Sequence, residues 1–164
     1  MLIRDARADD AAALAAIYAP EVLHGTASFE MDAPDATVMA GRLAAVQARG
    51  WPWLVAEQEG TVIGYAYASQ FRDRPAYAAT CENSIYVDAS TRGTGVGQAL
   101  LAALIEAARA AGFGQMLAVV GDAGGNAASL ALHRRAGFAE AGRLRAVGRK
   151  FGRWLDVAYL QRSL

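Results

Sequence analysis

The stretch that most restricts what this chain can become is STRGTGVGQALLAALIEAARAAG, residues 90–112. Glycines alternate at Gly93, Gly95 and Gly97, and an apolar run follows at once. Val96, Leu100, Leu101, Leu104, Ile105 and Ala108 fall on one face at helical spacing, and Gly112 stops the helix. Glycine costs a helix about 1 kcal/mol relative to alanine. Three of them ahead of the strongest helix in the chain therefore mark a need for bare backbone. Upstream, TCENSIYV (80–87) ends in strand formers. A strand, a glycine turn and a helix together make an anion site, because the first helical amides lack internal partners and point outward. The helix dipole adds about 0.3–1 kcal/mol for an anion there, and Arg92 brings a charged donor.

Two common phosphate motifs do not fit. A P-loop requires a lysine after its last glycine, whereas Gln98 follows Gly97 and the only lysine is Lys150. The dinucleotide fingerprint fails at its last glycine in both registers, where Gln98 and Leu100 stand. It would also lie late in the chain, behind three other strands.

The rest of the chain reads as one α/β domain with a mixed sheet. Leu2–Ala6 opens the sheet, and Asp9 or Asp10 caps a helix that ends near Pro20. Residues 24–30 form a loop. Pro34 and Asp35 start a second helix through Val38, Leu43 and Val46, ending at Gly50. Strands 53–57 and 61–69 meet at Glu59-Gly60, and 71–78 is a loop held by Pro75. After the glycine helix come strand 115–120, read as buried on both faces, and loop 121–126. A helix capped by Asn126 then runs to Ala136-Gly137, and strands 138–148 and 154–161 close the chain.

Composition narrows the classes. The 164 residues suit one ordinary domain, and a 54% hydrophobic content argues against disorder. No apolar stretch is long enough to span a bilayer, and charge stands where a signal peptide has its apolar segment, so a cytoplasmic protein is expected. A single cysteine, Cys81, excludes an internal disulfide, and two histidines, His24 and His133, make no metal site. Formal charge is +0, which gives no general attraction to nucleic acid. Residues 142–153 carry five cations and no acid, either as a solvated strand pair or as a contact for a phosphate or a partner subunit.

The spacing Arg92-x-x-Gly95-x-Gly97 resembles the acyl-coenzyme A loop of the GNAT acetyltransferases. NAASLALHRRAGF (126–138) resembles their later Asn-x-x-Ser-x-x-Leu-aromatic-x-x-x-Gly-Phe helix. HGTASFE, FRDRPAY, CENSIYVDASTRGTGVGQALL, LHRRAGF and GRLRAVGRKFGRWLDV are similar to the phosphinothricin and methionine sulfoximine N-acetyltransferase branch. GDAGGN departs from that pattern in its glycines. The resemblance implies a single domain with a mostly antiparallel mixed sheet of about seven strands and about four flanking helices. It also implies acetyl-CoA as co-substrate, a homodimer, and no metal.

The residues then acquire expected roles. Acetyl transfer needs a neutral amine, a donor to the thioester oxygen and a proton for the departing thiolate. Glu82, in the strand before the loop, is the expected base, directly or through water; the bland alternative is a carboxylate paired with an arginine. His133, two turns after Asn126, protonates the thiolate or positions substrate; the bland alternative is a helix histidine bonded to a backbone carbonyl. The backbones of Ile85, Tyr86 and Val87 meet the pantetheine amides, and Asn126 and Ser129 its arm. Arg92, Gly93, Thr94, Gly95, Val96, Gly97 and Gln98 hold the diphosphate. Arg72 and Arg74 suit a carboxylate or phosphinate, and Tyr77 and Phe29 wall the pocket. A regular strand would put Glu82, Ser84 and Tyr86 on the face opposite Cys81, and a bulge would break that parity. Cys81 itself reads as a small buried hydrophobe rather than a nucleophile. Other functions consistent with the pattern are a protein N-terminal acetyltransferase, a coenzyme A sensor without turnover and, from the 143–153 run, a nucleic-acid binder.

Overall fold

The computed structural model describes all 164 residues. Seven strands form one sheet in the order β1-β2-β3-β4-β5-β7-β6, where β1 is Leu2–Asp5, β2 Trp53–Gln58, β3 Thr61–Gln70, β4 Thr80–Val87, β5 Gln115–Gly121, β6 Ala139–Lys150 and β7 Arg153–Ser163. Every neighbouring pair is antiparallel except β4 with β5. The four α-helices are α1 (Ala11–Leu23), α2 (Ala36–Ala48), α3 (Val96–Ala110) and α4 (Ala127–Arg135). The architecture is the α/β domain with a seven-stranded, mostly antiparallel sheet and four helices that the resemblance implied.

The helices divide between the two faces of the sheet. Leu14, Tyr18, Met39 and Leu43 of α1 and α2 pack on Trp53, Val55 and Tyr65. On the opposite face, Leu100, Leu101, Leu104 and Ile105 of α3 pack on Ala66, Cys81, Met116 and Ala118. All six apolar positions assigned to one face of α3 are buried. Burying a leucine contributes about 1.5–3 kcal/mol, so this stripe fixes α3 against the sheet.

Several local expectations change. α1 continues through Pro20 to Leu23, because proline removes only its own N–H while its carbonyl still accepts from His24 N at 2.9 Å, and Val22 is buried. In α2, Asp35 caps Val38 N at 2.8 Å as expected. The buried face, however, is Met39, Leu43 and Val46, and Val38 lies beside that stripe, exposed. β5 is not buried on both faces. Met116, Ala118 and Val120 are covered, but Leu117 and Val119 are half-buried, since α1 and α2 pack over β2, β3 and β4 and stop short of β5. Asp10 turns its carboxylate to Arg4 (2.8 and 2.9 Å) and to Arg7 N rather than capping α1. The β2–β3 turn, Glu59-Gly60, has φ of 51° and 78°, the paired left-handed geometry of a tight hairpin.

Candidate active site

The β4–β5 pairing runs only from Thr80↔Gln115 to Asn83↔Ala118. Beyond Asn83, β4 stays paired with β3 without a register shift, so Ser84–Val87 leave β5 while remaining in the sheet. The parity of a regular strand therefore holds. Cys81, Ile85 and Val87 face the α3 side, and Tyr86 packs among the aromatic residues of the α1 side. The two strands part and leave their facing backbone edges open.

A groove of about 640 Å³ follows this split. It is lined by Ile85, Tyr86 and Val87 from β4, by Arg92, Gly93, Gly95, Gly97 and Gln98, and by Asn126 and Ser129 of α4. The structure thus brings together ten of the twelve residues expected to meet the coenzyme. Thr94 and Val96 do not line it. The Thr94 hydroxyl donates back to Thr91 O at 2.7 Å, and Val96 is buried in the core. Gly93 and Gly95 take φ of 78° and 93°, and a Cβ on either would meet nothing within 4 Å. α3 starts at Gly95 without a side-chain cap. Left-handed glycines, open space above them and uncapped helical amides form a cradle that fits a diphosphate.

Arg92 already has a partner. Its Nη2 meets Glu21 Oε1 at 2.6 Å and its Nε meets Val87 O at 3.3 Å. Glu21, at the end of α1, also lines the groove, as do Ala27 from the following loop and Arg135 from α4. None of these three was singled out from the sequence as a groove residue; HGTASFE marked the α1–α2 loop by resemblance, but nothing in its spacing announces its return over the groove. The cations of the 142–153 run do not line the groove.

Glu82 and His133 approach from opposite faces of β4. Glu82 lies on the α1 side, opposite Ser69 of β3. Burial pushes its carboxyl above the usual carboxylate range, and the charge of Arg72 pulls the other way. His133 is buried on the α4 side, with Nδ1 at 2.8 Å from Ser129 O and Nε2 at 3.0 Å from Asn83 Oδ1. Burial lowers its pKa, with Ser129 O opposing. The ring does not line the groove; Ser129, whose Oγ is 3.4 Å from Nδ1, does.

The expected substrate residues fall in two places. Arg72, Arg74 and Tyr77 line a surface concavity with Asp73 and Pro75, and Gln70 Nε2 pins this loop by donating to Arg72 O and Arg74 O. Tyr77 stacks edge-on against Phe71, ring centres 5.8 Å apart. Phe29 is elsewhere, its ring seated against Gly121 of β5 and Gly148 of β6. Its loop is held by Lys150, whose buried Nζ donates to Ser28 O at 2.9 Å, and by the Tyr18 hydroxyl bonded to Ser28 Oγ at 2.7 Å and to Glu30 Oε1 at 3.0 Å. Phe29 thus does not line the concavity that holds Arg72, Arg74 and Tyr77. Cys81 is fully buried and its thiol is pushed up to about 12, so it offers no thiolate.

Comparison with known proteins agrees with this geometry. The family model for an acetyltransferase (GNAT) domain matches residues 3–158. A phosphinothricin N-acetyltransferase of Alcaligenes faecalis is 49% identical over 162 residues, covering 99% of this chain and 82% of that protein. An L-methionine sulfoximine/L-methionine sulfone acetyltransferase of Pseudomonas paraeruginosa is 43% identical, over 99% of this chain and 94% of that one. Among solved structures, a phosphinothricin acetyltransferase of Sinorhizobium meliloti in complex with AcCoA superposes with a TM-score of 0.95 at 46% identity, over 99% and 88% of the two chains. A ribosomal-protein-alanine N-acetyltransferase of Brucella melitensis gives 0.96 at 43% identity, over 100% of both. With the split strand, the glycine cradle and these relatives together, the chain belongs to the GNAT family and is an N-acetyltransferase.

Proposed function

We propose that this enzyme transfers an acetyl group from acetyl-CoA directly to the α-amino group of a small amino-acid-like substrate of the phosphinothricin, methionine sulfoximine or methionine sulfone type. The observation that carries this reading is the open glycine cradle running into the β4–β5 split, with Glu82 half-buried on the far side of the same strand. Acetyl-CoA supplies the activated acetyl group as a thioester. Main-chain amides of Val96, Gly97 and Gln98 and the Arg92 guanidinium hold its diphosphate, and the free edge of Ser84–Val87 pairs with its amide arm as an added strand would.

Glu82 takes the proton of the incoming amine. Its raised pKa brings it nearer the range of a useful general base, and Arg72 beside it suits a carboxylate or phosphinate on the substrate. The reaction runs in a ternary complex, because the one thiol of the chain is buried and protonated and cannot carry the acetyl group. The names of the A. faecalis, P. paraeruginosa and S. meliloti proteins support the substrate class. The enzyme acts as a homodimer in this reading; Leu144, Val147, Phe151 and Trp154 of the β6–β7 hairpin are exposed and suit cover by a second copy.

A second reading is favoured by the B. melitensis structure, named for a ribosomal-protein alanine. Release of coenzyme A thiol decides between them, and the buried Cys81 adds no background. Turnover is expected with phosphinothricin, methionine sulfoximine or methionine sulfone. Turnover only with peptides bearing an N-terminal alanine would replace this reading, and acetyl-CoA binding without turnover would leave a sensor.

A further inference from the structure

Asn83 is a polar residue at a core-facing position of β4, and it is buried. It stands at the last rung before β4 and β5 part. Its Nδ2 donates to Leu117 O of β5 at 3.0 Å, and its Oδ1 faces His133 Nε2 at 3.0 Å. The orientation of the amide is not free. Leu117 O is an acceptor, so the nitrogen must face it, and the oxygen is left for the imidazole. A lone pair on Nε2 would then oppose a lone pair on Oδ1 inside the core and leave both groups unsatisfied. The proton therefore belongs on Nε2.

The other ring nitrogen has the opposite surroundings. Nδ1 faces Ser129 O at 2.8 Å, which accepts from it when it is protonated, and Ser129 Oγ at 3.4 Å, which donates to it when it is not. Unprotonated, Nδ1 opposes the Ser129 carbonyl lone pair, which the nearby Ser129 hydroxyl offsets by donating to the ring, whereas an unprotonated Nε2 faces only the Asn83 oxygen and has no donor at all. The other close neighbour is the edge-on Phe138 ring at 5.1 Å; Asn83, Ser129 and Phe138 carry no charge, and burial and the Ser129 carbonyl are what move the His133 equilibrium. Of the atoms in this chain, Ser129 belongs to the groove wall and His133 does not.

We propose that Asn83 is a positioning residue for acetyl transfer: it fixes the proton of His133 on Nε2, leaving Nδ1 to exchange protons with the groove through the Ser129 hydroxyl. In the step that releases the thiolate, the ring acts in its less populated imidazolium form, having taken a second proton on Nδ1 from water, and that Nδ1–H bond breaks as the proton passes to Ser129 Oγ. The Ser129 O–H bond breaks as that proton passes to sulfur. Neutral imidazole with Nε2–H remains and is reprotonated from water. This rests on the split carrying the thioester, as argued above.

The test begins with the free enzyme, so it is independent of the substrate. His24 and His133 are the only histidines, and His24→Gln leaves one ring to assign. Long-range proton–nitrogen spectra of ¹⁵N-labelled protein at neutral pH are expected to show Nε2–H and an unprotonated Nδ1. The reverse tautomer would overturn the proposal, and this holds even if no Asn83 variant folds. Asn83→Asp is expected to keep Nε2–H and raise the ring pKa, and Asn83→Leu to mix the tautomers. Unchanged ring signals in Asn83→Leu would refute the role. In turnover, Ser129→Ala is expected to lower kcat at saturating acetyl-CoA at least about tenfold, whatever its effect on KM for the coenzyme; an unchanged kcat would remove the proton path. Failure to acetylate any amine would instead refute the functional reading and leave the tautomer measurement standing.

Discussion

Replacing Gly148 by alanine tests how the Phe29 loop is held. A Cβ built on Gly148 would lie 2.2, 2.6 and 2.8 Å from Phe29 Cε2, Cζ and Cδ2, where carbon atoms need about 3.5–4.0 Å. The ring must therefore move by more than an ångström. Gly148 is not at positive φ, so alanine adds no backbone strain and the whole cost is this collision. An upper bound follows from driving the ring into water. Phe29 is 41% exposed, and burying a whole phenylalanine covers about 150–250 Å². At about 25 cal/mol per Å², losing the covered remainder costs about 3 kcal/mol. Gly148→Ala is accordingly expected to cost about 1–3 kcal/mol in urea unfolding, and to lower Tm by about 2–4 °C per kcal/mol. In a Phe29→Ala background the same substitution should cost less than about 0.5 kcal/mol, since the atom it strikes is gone. Acetyl-CoA binding should hold, because Gly148 does not line the groove. An equal cost in both backgrounds would show that Gly148 does not act as the seat of Phe29.

Glu82→Gln should lower kcat by about 10²–10⁴ with acetyl-CoA affinity nearly intact, measured by thiol release and calorimetry. Neutralising Arg72 removes the charge that opposes burial at Glu82, so the acidic limb of kcat/KM should move to higher pH. Glu21→Gln frees Arg92 and removes a carboxylate from the groove, and should tighten coenzyme A binding by up to about fivefold at low salt. His133 has its pKa lowered from 6.5 by burial, so the unfolded chain binds the extra proton first. Stability should be intact above that pH and fall as pH drops below it, and His133→Gln should flatten the slope in pH-dependent denaturation.

What the sequence made legible is what depends on period and backbone. The buried face of α3 and the span of β4 were readable because apolar spacing and strand-forming residues agree with the burial that tertiary structure imposes. The glycine cradle was readable because few other contexts call for bare backbone before a helix. Contacts between distant segments were not. Lys150 holding Ser28, Glu21 pairing with Arg92 and Phe29 resting on two glycines each join residues with no shared period. Pro20 misled because a stop signal in the last turn yields to the burial of Val22. Asn83 did leave a trace, a polar residue at an inward position of an otherwise apolar strand face, and strand parity was the means to notice it.

The solitary lysine has a chemical consequence for an enzyme that handles a thioester. Nζ of Lys150 is shut inside the fold, with only 2% of the residue reached by solvent, and the other fifteen of the 16 basic side chains are arginines. Guanidinium groups keep their protons near neutrality and do not attack acyl donors. The side chains of this fold thus present no exposed primary amine to stray acylation or to amine-directed reagents.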